Sequence, residues 1–135
     1  MRIMMIKILI VEDNPLFRDT LKLLFTKRFP SMIVEEASDG KGAMEKVGSF
    51  QPDLITVDLR LSDESGLELI KKIKSTNPNV RVLILTGYDY PEYREMAARY
   101  GADGFVFKGD ASKEILRMVE SFFSNAKEST IAKKR

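Results

Sequence analysis

The stretch that decides the fold runs from Asp53 to Gly66 and reads Asp-Leu-Ile-Thr-Val-Asp-Leu-Arg-Leu-Ser-Asp-Glu-Ser-Gly. Its apolar residues Leu54, Ile55 and Val57 form the short, β-branched run that is typical of a strand buried on both faces. The run stops on a carboxylate, Asp58. An acid at the end of a buried strand predicts a chemical site at the edge of a sheet.

The rest of the chain repeats this pattern of a short apolar strand followed by a helix. Strands are predicted at residues 6–11, 32–37, 53–58, 80–85 and 105–107, and an apolar stripe with helical spacing follows each of them. Strands that alternate with helices predict a parallel sheet with helices on both faces. We therefore expect a doubly wound α/β protein of three layers, α/β/α.

Two helix starts can be predicted from capping signals. Asn14 and Pro15 have the residue types of an N-cap and a first helical position. The spacing of Asp89 and Glu92 is that of a capping box, which predicts that a helix starts there and carries the apolar residues Met96, Ala97 and Tyr100.

The C-terminal end of the chain lacks apolar periodicity. We expect one domain over residues 1–126, followed at 127–135 by a basic tail or a truncated linker. The length of 135 residues suits one domain with a sizeable core.

The composition excludes several classes of function. The chain has neither cysteine nor histidine, so a disulfide framework, a Cys/His zinc site and a histidine-dependent triad are excluded. A net charge of +2 is too small to indicate nucleic-acid binding. No apolar run approaches the roughly 18 residues of a membrane span. We expect a cytoplasmic protein without membrane contact.

Polar side chains stand at the ends of four predicted strands. Glu12 and Asp13 follow the first strand, Asp58 ends the third, and Thr86 and Lys108 end the fourth and fifth. The carboxyl ends of parallel strands meet at one edge, where ligands of open α/β sheets bind. Two carboxylates ~4 Å apart repel by on the order of 4 kcal/mol at an effective dielectric near 20. The cluster therefore requires a cation.

A hard divalent cation suits such a cluster. Mg²⁺ prefers oxygen ligands and keeps waters beside one or two carboxylates, and Mn²⁺ is the alternative ion. Asp58 can then act as a nucleophile toward phosphorus and form an aspartyl phosphate. The Lys108 ammonium would stabilise charge on the phosphoryl oxygens, and the Thr86 hydroxyl could donate to one of them after transfer.

Five motifs in this order carry a resemblance to a known family. They are Val11-Glu12-Asp13-Asn14, Asp58 with Gly66 eight residues later, Leu85-Thr86-Gly87, Gly101-Ala-Asp-Gly104 and Phe107-Lys108. The chain resembles the CheY-like receiver domains of two-component response regulators. The run from Gly104 to Ser112 is similar to receivers of LuxR-type (NarL-like) regulators. The resemblance implies a flavodoxin-like (βα)5 fold with strand order 2-1-3-4-5.

The resemblance also implies roles for individual residues. Asp58 would be the phosphoacceptor, and Glu12 and Asp13 would bind Mg²⁺ together with it. Thr86 and Lys108 would contact the phosphoryl group.

Three further residues receive roles from the same resemblance. Phe105 would be the switch aromatic that swings inward when Thr86 moves, and Arg60 and Tyr88 would tune the lifetime of the phosphate. Output would pass through the face of the fourth helix, the last strand and the fifth helix.

The implied partners are proteins. Without histidine the chain depends on a histidine kinase or a phosphotransfer protein as phosphoryl donor. A homodimer through the output face is one arrangement that the resemblance allows. DNA would be contacted only through an output domain that this chain does not contain.

Three alternatives stay open. The chain could be the N-terminal receiver of a LuxR-type transcriptional regulator, or a degenerate receiver that only binds proteins. A carboxylate-based phosphatase would need a second acid two residues after Asp58, where Arg60 stands. We therefore expect a phosphoacceptor switch with self-catalysed transfer and dephosphorylation, not a turnover enzyme.

Overall fold

The computed structural model describes residues 5–88 and 90–134. Its strands are β1 (Lys7–Val11), β2 (Ile33–Ala37), β3 (Leu54–Asp58), β4 (Arg81–Thr86) and β5 (Gly104–Phe107). Its helices are α1 (Pro15–Arg28), α2 (Gly40–Phe50), α3 (Gly66–Thr76), α4 (Pro91–Arg99) and α5 (Ala111–Lys134), and a 3-10 turn, Lys108–Asp110, joins β5 to α5.

All pairings in the sheet are parallel, and the strand order is β2-β1-β3-β4-β5. The predicted α/β fold and the implied strand order are both confirmed. The order reverses at β1, which lies between β2 and β3. Val11 pairs with Val57, so the residues that follow β1 lie beside the end of β3. This is the edge where the sequence predicts the site.

The sheet separates two apolar layers, which the alternation of side chains along each strand creates. One layer contains Leu9, Val57 and Ile84 and packs against α2, α3 and α4. The other contains Ile10 and Leu85 and packs against α1 and α5. The same alternation places Glu12 and Asp58 toward α1 and α5, and Thr86 and Phe105 toward α4.

The predicted start of α1 is confirmed. The Asn14 side chain accepts hydrogen bonds from the backbone N–H groups of Leu16 and Phe17 at 2.9 and 3.2 Å, and Pro15 occupies the first helical position. The cap satisfies N–H groups that no carbonyl within the helix can reach. It also fixes the direction in which the chain leaves Glu12 and Asp13.

The predicted start of α4 falls on Asp89, which lies outside the described residues. The helix begins at Pro91, and its N-cap is Tyr90. Proline favours the first helical position because its fixed φ suits the helix and its missing N–H needs no partner there. Of the three predicted apolar residues of this helix, Ala97 is buried and Tyr100 packs against the core, while Met96 is 37% exposed.

The last helix, α5, continues to Lys134, so the predicted tail is helical over most of its length. The buried side chains of Ile115 and Val119 pack the first half of α5 against the sheet. The division at residue 126 stays a prediction. Within the described ranges, no helix combines the length and apolar composition that a membrane span requires.

Candidate functional site

The three acids predicted to form the site lie together at the carboxyl edge of the sheet. Glu12, Asp13 and Asp58 each offer a carboxylate oxygen, and these oxygens lie within 4.8 Å of one another. Glu12 and Asp58 are buried, and Asp13 is exposed. The cluster is therefore open to solvent on the side of Asp13.

Lys108 supplies a cation to this cluster. Its Nζ atom lies 2.8 Å from Glu12 Oε1 and 3.4 Å from Asp58 Oδ2, and the side chain is 23% exposed. The ammonium also lies 4.6 Å from the centroid of the Phe17 ring, on α1. The chain itself thus provides part of the positive charge that the crowded carboxylates require.

Glu12 is the most perturbed acid of the site. Its burial raises its pKa from 4.5 to about 7, and the charge of Asp58 acts in the same direction. The Lys108 ammonium and the N–H of Asn14, which donates to Oε2 at 3.1 Å, oppose this rise and lower the pKa. Burial prevails, so the ion pair only partly offsets the loss of solvation.

Asp58 is held with its two oxygens in different surroundings. Oδ1 accepts a hydrogen bond of 3.2 Å from the backbone N–H of Arg60, while Oδ2 faces Lys108. Gly66 lies against the backbone of this residue, where a Cβ atom would overlap the Asp58 carbonyl oxygen. Glycine at that position lets the start of α3 approach the end of β3 closely.

Thr86 and Phe105 lie on the other side of the sheet edge, toward α4. Thr86 is fully buried, and its Oγ1 accepts a hydrogen bond of 3.0 Å from the N–H of Tyr88. Phe105 is only 8% exposed, and the guanidinium of Arg94 lies 4.7 Å from its ring centroid. The ring is thus already inward in this structure, and its predicted movement stays a prediction. The pattern of α4 gave no signal for the Arg94 contact.

Arg60 and Tyr88, the predicted tuning residues, contact each other. The guanidinium of Arg60 lies 4.1 Å from the ring centroid of Tyr88, a distance at which a cation and an aromatic face attract. This contact connects the loop after β3 to the loop after β4. The sequence placed both residues beside the site but did not predict that they touch.

The donor set fits a hard divalent cation. The cluster offers carboxylate oxygens alone, which Mg²⁺ and Mn²⁺ prefer over nitrogen or sulfur ligands. Glu12 Oε1 is buried and, within the part of the chain that the structure describes, lacks a hydrogen bond of normal geometry, although Lys108 lies beside it. An additional cation would complete the coordination of this oxygen.

Comparison with known proteins identifies the family. The model of the response regulator receiver domain matches residues 8–120. This chain belongs to that family. The response regulator protein VraR of Staphylococcus saprophyticus is 31% identical over 124 residues, which are 90% of this chain and 58% of that protein. The chain spans between about a third and three fifths of the length of three curated relatives, VraR among them.

Solved structures agree with this assignment. A LuxR-family two-component response regulator from Aurantimonas has a TM-score of 0.83 and 27% identity, with 90% of this chain and 87% of that chain covered. Response regulator TrrA from Thermotoga maritima, solved in complex with Mg²⁺ and BeF, has a TM-score of 0.78 and 28% identity. The match covers 87% of this chain and 98% of that chain. The predicted resemblance to receivers, including those of LuxR-type regulators, is confirmed, and the protein is a receiver of two-component signalling.

Proposed function

We propose that this receiver works as a phosphorylation switch in which Asp58 accepts the phosphoryl group. The observation that carries the proposal is the pair of contacts from the Lys108 ammonium to Glu12 and Asp58. A lysine that already faces the acceptor oxygen can stabilise the negative charge that develops on a phosphoryl group, without reorganisation of the site.

We assign the metal site to Glu12, Asp13 and Asp58. Their oxygens form a compact hard-ligand cluster, and the related TrrA was solved with Mg²⁺ and BeF. When bound, Mg²⁺ neutralises charge on the phosphoryl oxygens and orients them. Mn²⁺ would serve as a substitute because it prefers similar ligands.

The transfer step uses Oδ2 of Asp58 as the nucleophile, because Oδ1 is occupied by the Arg60 N–H. The bond from Oδ2 to phosphorus forms as the bond from phosphorus to a histidine nitrogen of the donor protein breaks. That nitrogen leaves with the electron pair and takes up a proton. The Lys108 ammonium contacts a phosphoryl oxygen.

The conformational response begins at Thr86. Its hydroxyl gives up the hydrogen bond from Tyr88 N–H and donates to a phosphoryl oxygen. This movement leaves space on the α4 side of the sheet, where Phe105 packs under Arg94. A closely packed core changes between discrete arrangements rather than deforming gradually. The repacking around Phe105 therefore changes the conformation of the face formed by α4, β5 and α5, and this change is the output signal.

The Arg60–Tyr88 contact sets the lifetime of the phosphate. It connects the two loops whose N–H groups reach Asp58 and Thr86. Loops that stay together limit the approach of water to the acyl phosphate. We therefore assign both residues a protective role.

The relatives support a proposal for the wider role. A histidine kinase or a phosphotransfer protein supplies the phosphoryl group in the cytoplasm, because the chain has no histidine of its own. The output is a LuxR-type DNA-binding domain outside this chain, and activation proceeds through a dimer formed by the α4-β5-α5 face. The domain accepts and loses one phosphoryl group and is not a turnover enzyme.

Phosphorylation by acetyl phosphate tests the function. Intact mass spectrometry of the wild type in Mg²⁺ should show the mass of one added phosphoryl group, and the added mass should disappear in EDTA. Asp58→Asn should show no addition, and Lys108→Ala should show little, while circular dichroism confirms that both variants are folded. A wild type that stays unmodified with acetyl phosphate and also with histidine phosphodonors would identify a degenerate receiver.

A further inference from the structure

The loop after β3 is fastened at its tip to the start of another helix. Asp63 accepts two backbone hydrogen bonds from α2, one from Gly40 N–H to Oδ1 at 2.9 Å and one from Lys41 N–H to Oδ2 at 3.1 Å. Both hydrogen bonds hold the pKa of Asp63 below its usual value, and the bond from the Gly40 N–H has the larger effect. The carboxylate is therefore charged at neutral pH and well matched to two N–H groups that have no acceptor within their helix.

The base of the same loop is equally constrained. Arg60 and Ser65 form an antiparallel bridge, and Gly66 N–H donates to the Leu59 carbonyl at 2.8 Å. Glu64 forms an ion pair of 2.9 Å with Lys72. The backbone between the phosphoacceptor and α3 thus closes on itself. Asp63 at its tip connects this loop to α2, and the Arg60 side chain connects it to Tyr88.

This loop reaches the reacting group directly. The N–H of Arg60 donates to Asp58 Oδ1, and the other oxygen is thereby left toward Lys108. A displacement of the loop would change which oxygen faces the incoming phosphorus. Positioning errors of about 1 Å can reduce a rate by up to about 100-fold.

We propose that Asp63 is a positioning residue for phosphorylation: by binding the start of α2, it holds the Arg60 N–H on Asp58 Oδ1 and so presents Oδ2 to the donor. This proposal rests on the proposed function of Asp58. The Asp63 carboxylate, bound to two backbone amides, thereby constrains the loop.

The chain contains a matched control for this residue. Asp39 is the N-cap of α2 and accepts the Gly42 N–H at 2.8 Å, so it stabilises the same end of the same helix. It lies before α2, however, and outside the loop of Asp58. If Asp63 only caps the helix, replacing either aspartate should have the same effect on phosphorylation.

The test compares Asp63→Ala, Asp63→Asn and Asp39→Ala in the complete chain. The rate of Asp58 phosphorylation by acetyl phosphate in Mg²⁺ should fall about tenfold for Asp63→Ala, less for Asp63→Asn, and by no more than about twofold for Asp39→Ala. In metal-free protein, the NMR resonance of the Arg60 amide should move in both Asp63 variants and stay in place in Asp39→Ala.

Two results would overturn the proposal. One is a wild-type rate in Asp63→Ala with an unmoved Arg60 resonance, and the other is an equal loss of rate in the two alanine variants. A wild type that no donor phosphorylates would reject the proposed function instead. The NMR comparison would then still decide whether Asp63 positions the Arg60 amide, since it requires neither metal nor phosphate.

Discussion

Replacing Glu12 by glutamine should stabilise the metal-free protein at alkaline pH. Glu12 is 1% exposed, and its pKa in the fold is about 7, compared with 4.5 for an unperturbed glutamate. Between these two values the folded protein retains a proton that the unfolded chain has lost, so the free energy of unfolding decreases as pH rises. Each pKa unit corresponds to about 1.4 kcal/mol. Ionisation of Glu12 therefore lowers wild-type stability by on the order of 3 kcal/mol.

Glutamine has almost the same shape as the protonated acid and cannot ionise. Glu12→Gln and wild type should therefore have similar stability near pH 4.5, and the variant should become more stable by on the order of 3 kcal/mol at pH 8. Urea unfolding in EDTA, followed by circular dichroism across this range, measures the difference. Addition of Mg²⁺ should stabilise the wild type more than the variant.

A constant difference between pH 4.5 and pH 8 would refute this reasoning. The same is true of a variant that is less stable than wild type at pH 8 without metal. Either result would mean that the ion pair with Lys108 outweighs the burial of the Glu12 carboxylate. The surface variant Glu120→Gln controls for the general effect of removing an acid. It is suitable because the ion pair of Glu120 with Arg28 is exposed to solvent.

Three further predictions concern other parts of the site and core. Thr56 is 1% exposed and its hydroxyl has no hydrogen-bond partner among the described residues, so Thr56→Val should raise the free energy of unfolding by about 1 kcal/mol, as measured by urea denaturation; a loss of stability would indicate that the hydroxyl is bonded. Gly66→Ala should reduce stability by about 3 kcal/mol because its Cβ would overlap the Asp58 carbonyl oxygen, whereas Gly48→Ala, where a Cβ meets open space, should not reduce it. Tyr88→Ala should shorten the half-life of the phosphorylated protein several-fold, because the contact with Arg60 is lost; an unchanged half-life in a phosphate-release assay would contradict the protective role.

Apolar runs in the strands and apolar stripes in most helices predicted the doubly wound α/β class, whereas the strand order 2-1-3-4-5 came from the family resemblance. The edge position of Glu12, Asp13 and Asp58 followed from the rule that parallel strands end at one edge. The first residue of α4 was harder to predict because two start signals overlap there, and the helix begins at Pro91.

The contacts between distant loops could not be predicted from the sequence. Asp63 stands in a polar stretch in which any of several side chains could have capped a helix, and its partners are 22 and 23 residues away. The contact of Arg94 with Phe105 likewise depends on how α4 lies on the sheet, which the short apolar pattern of that helix does not determine.

The most direct test of the account is the identity of the phosphorylated residue. Wild-type protein is incubated with acetyl phosphate and Mg²⁺, the acyl phosphate is reduced with borohydride, and the peptides are sequenced by mass spectrometry. The account predicts homoserine at Asp58 and at no other acid. Reduction at Asp13 or Glu12 instead, or phosphate retained on a serine or threonine while Asp58 stays unmodified, would contradict it.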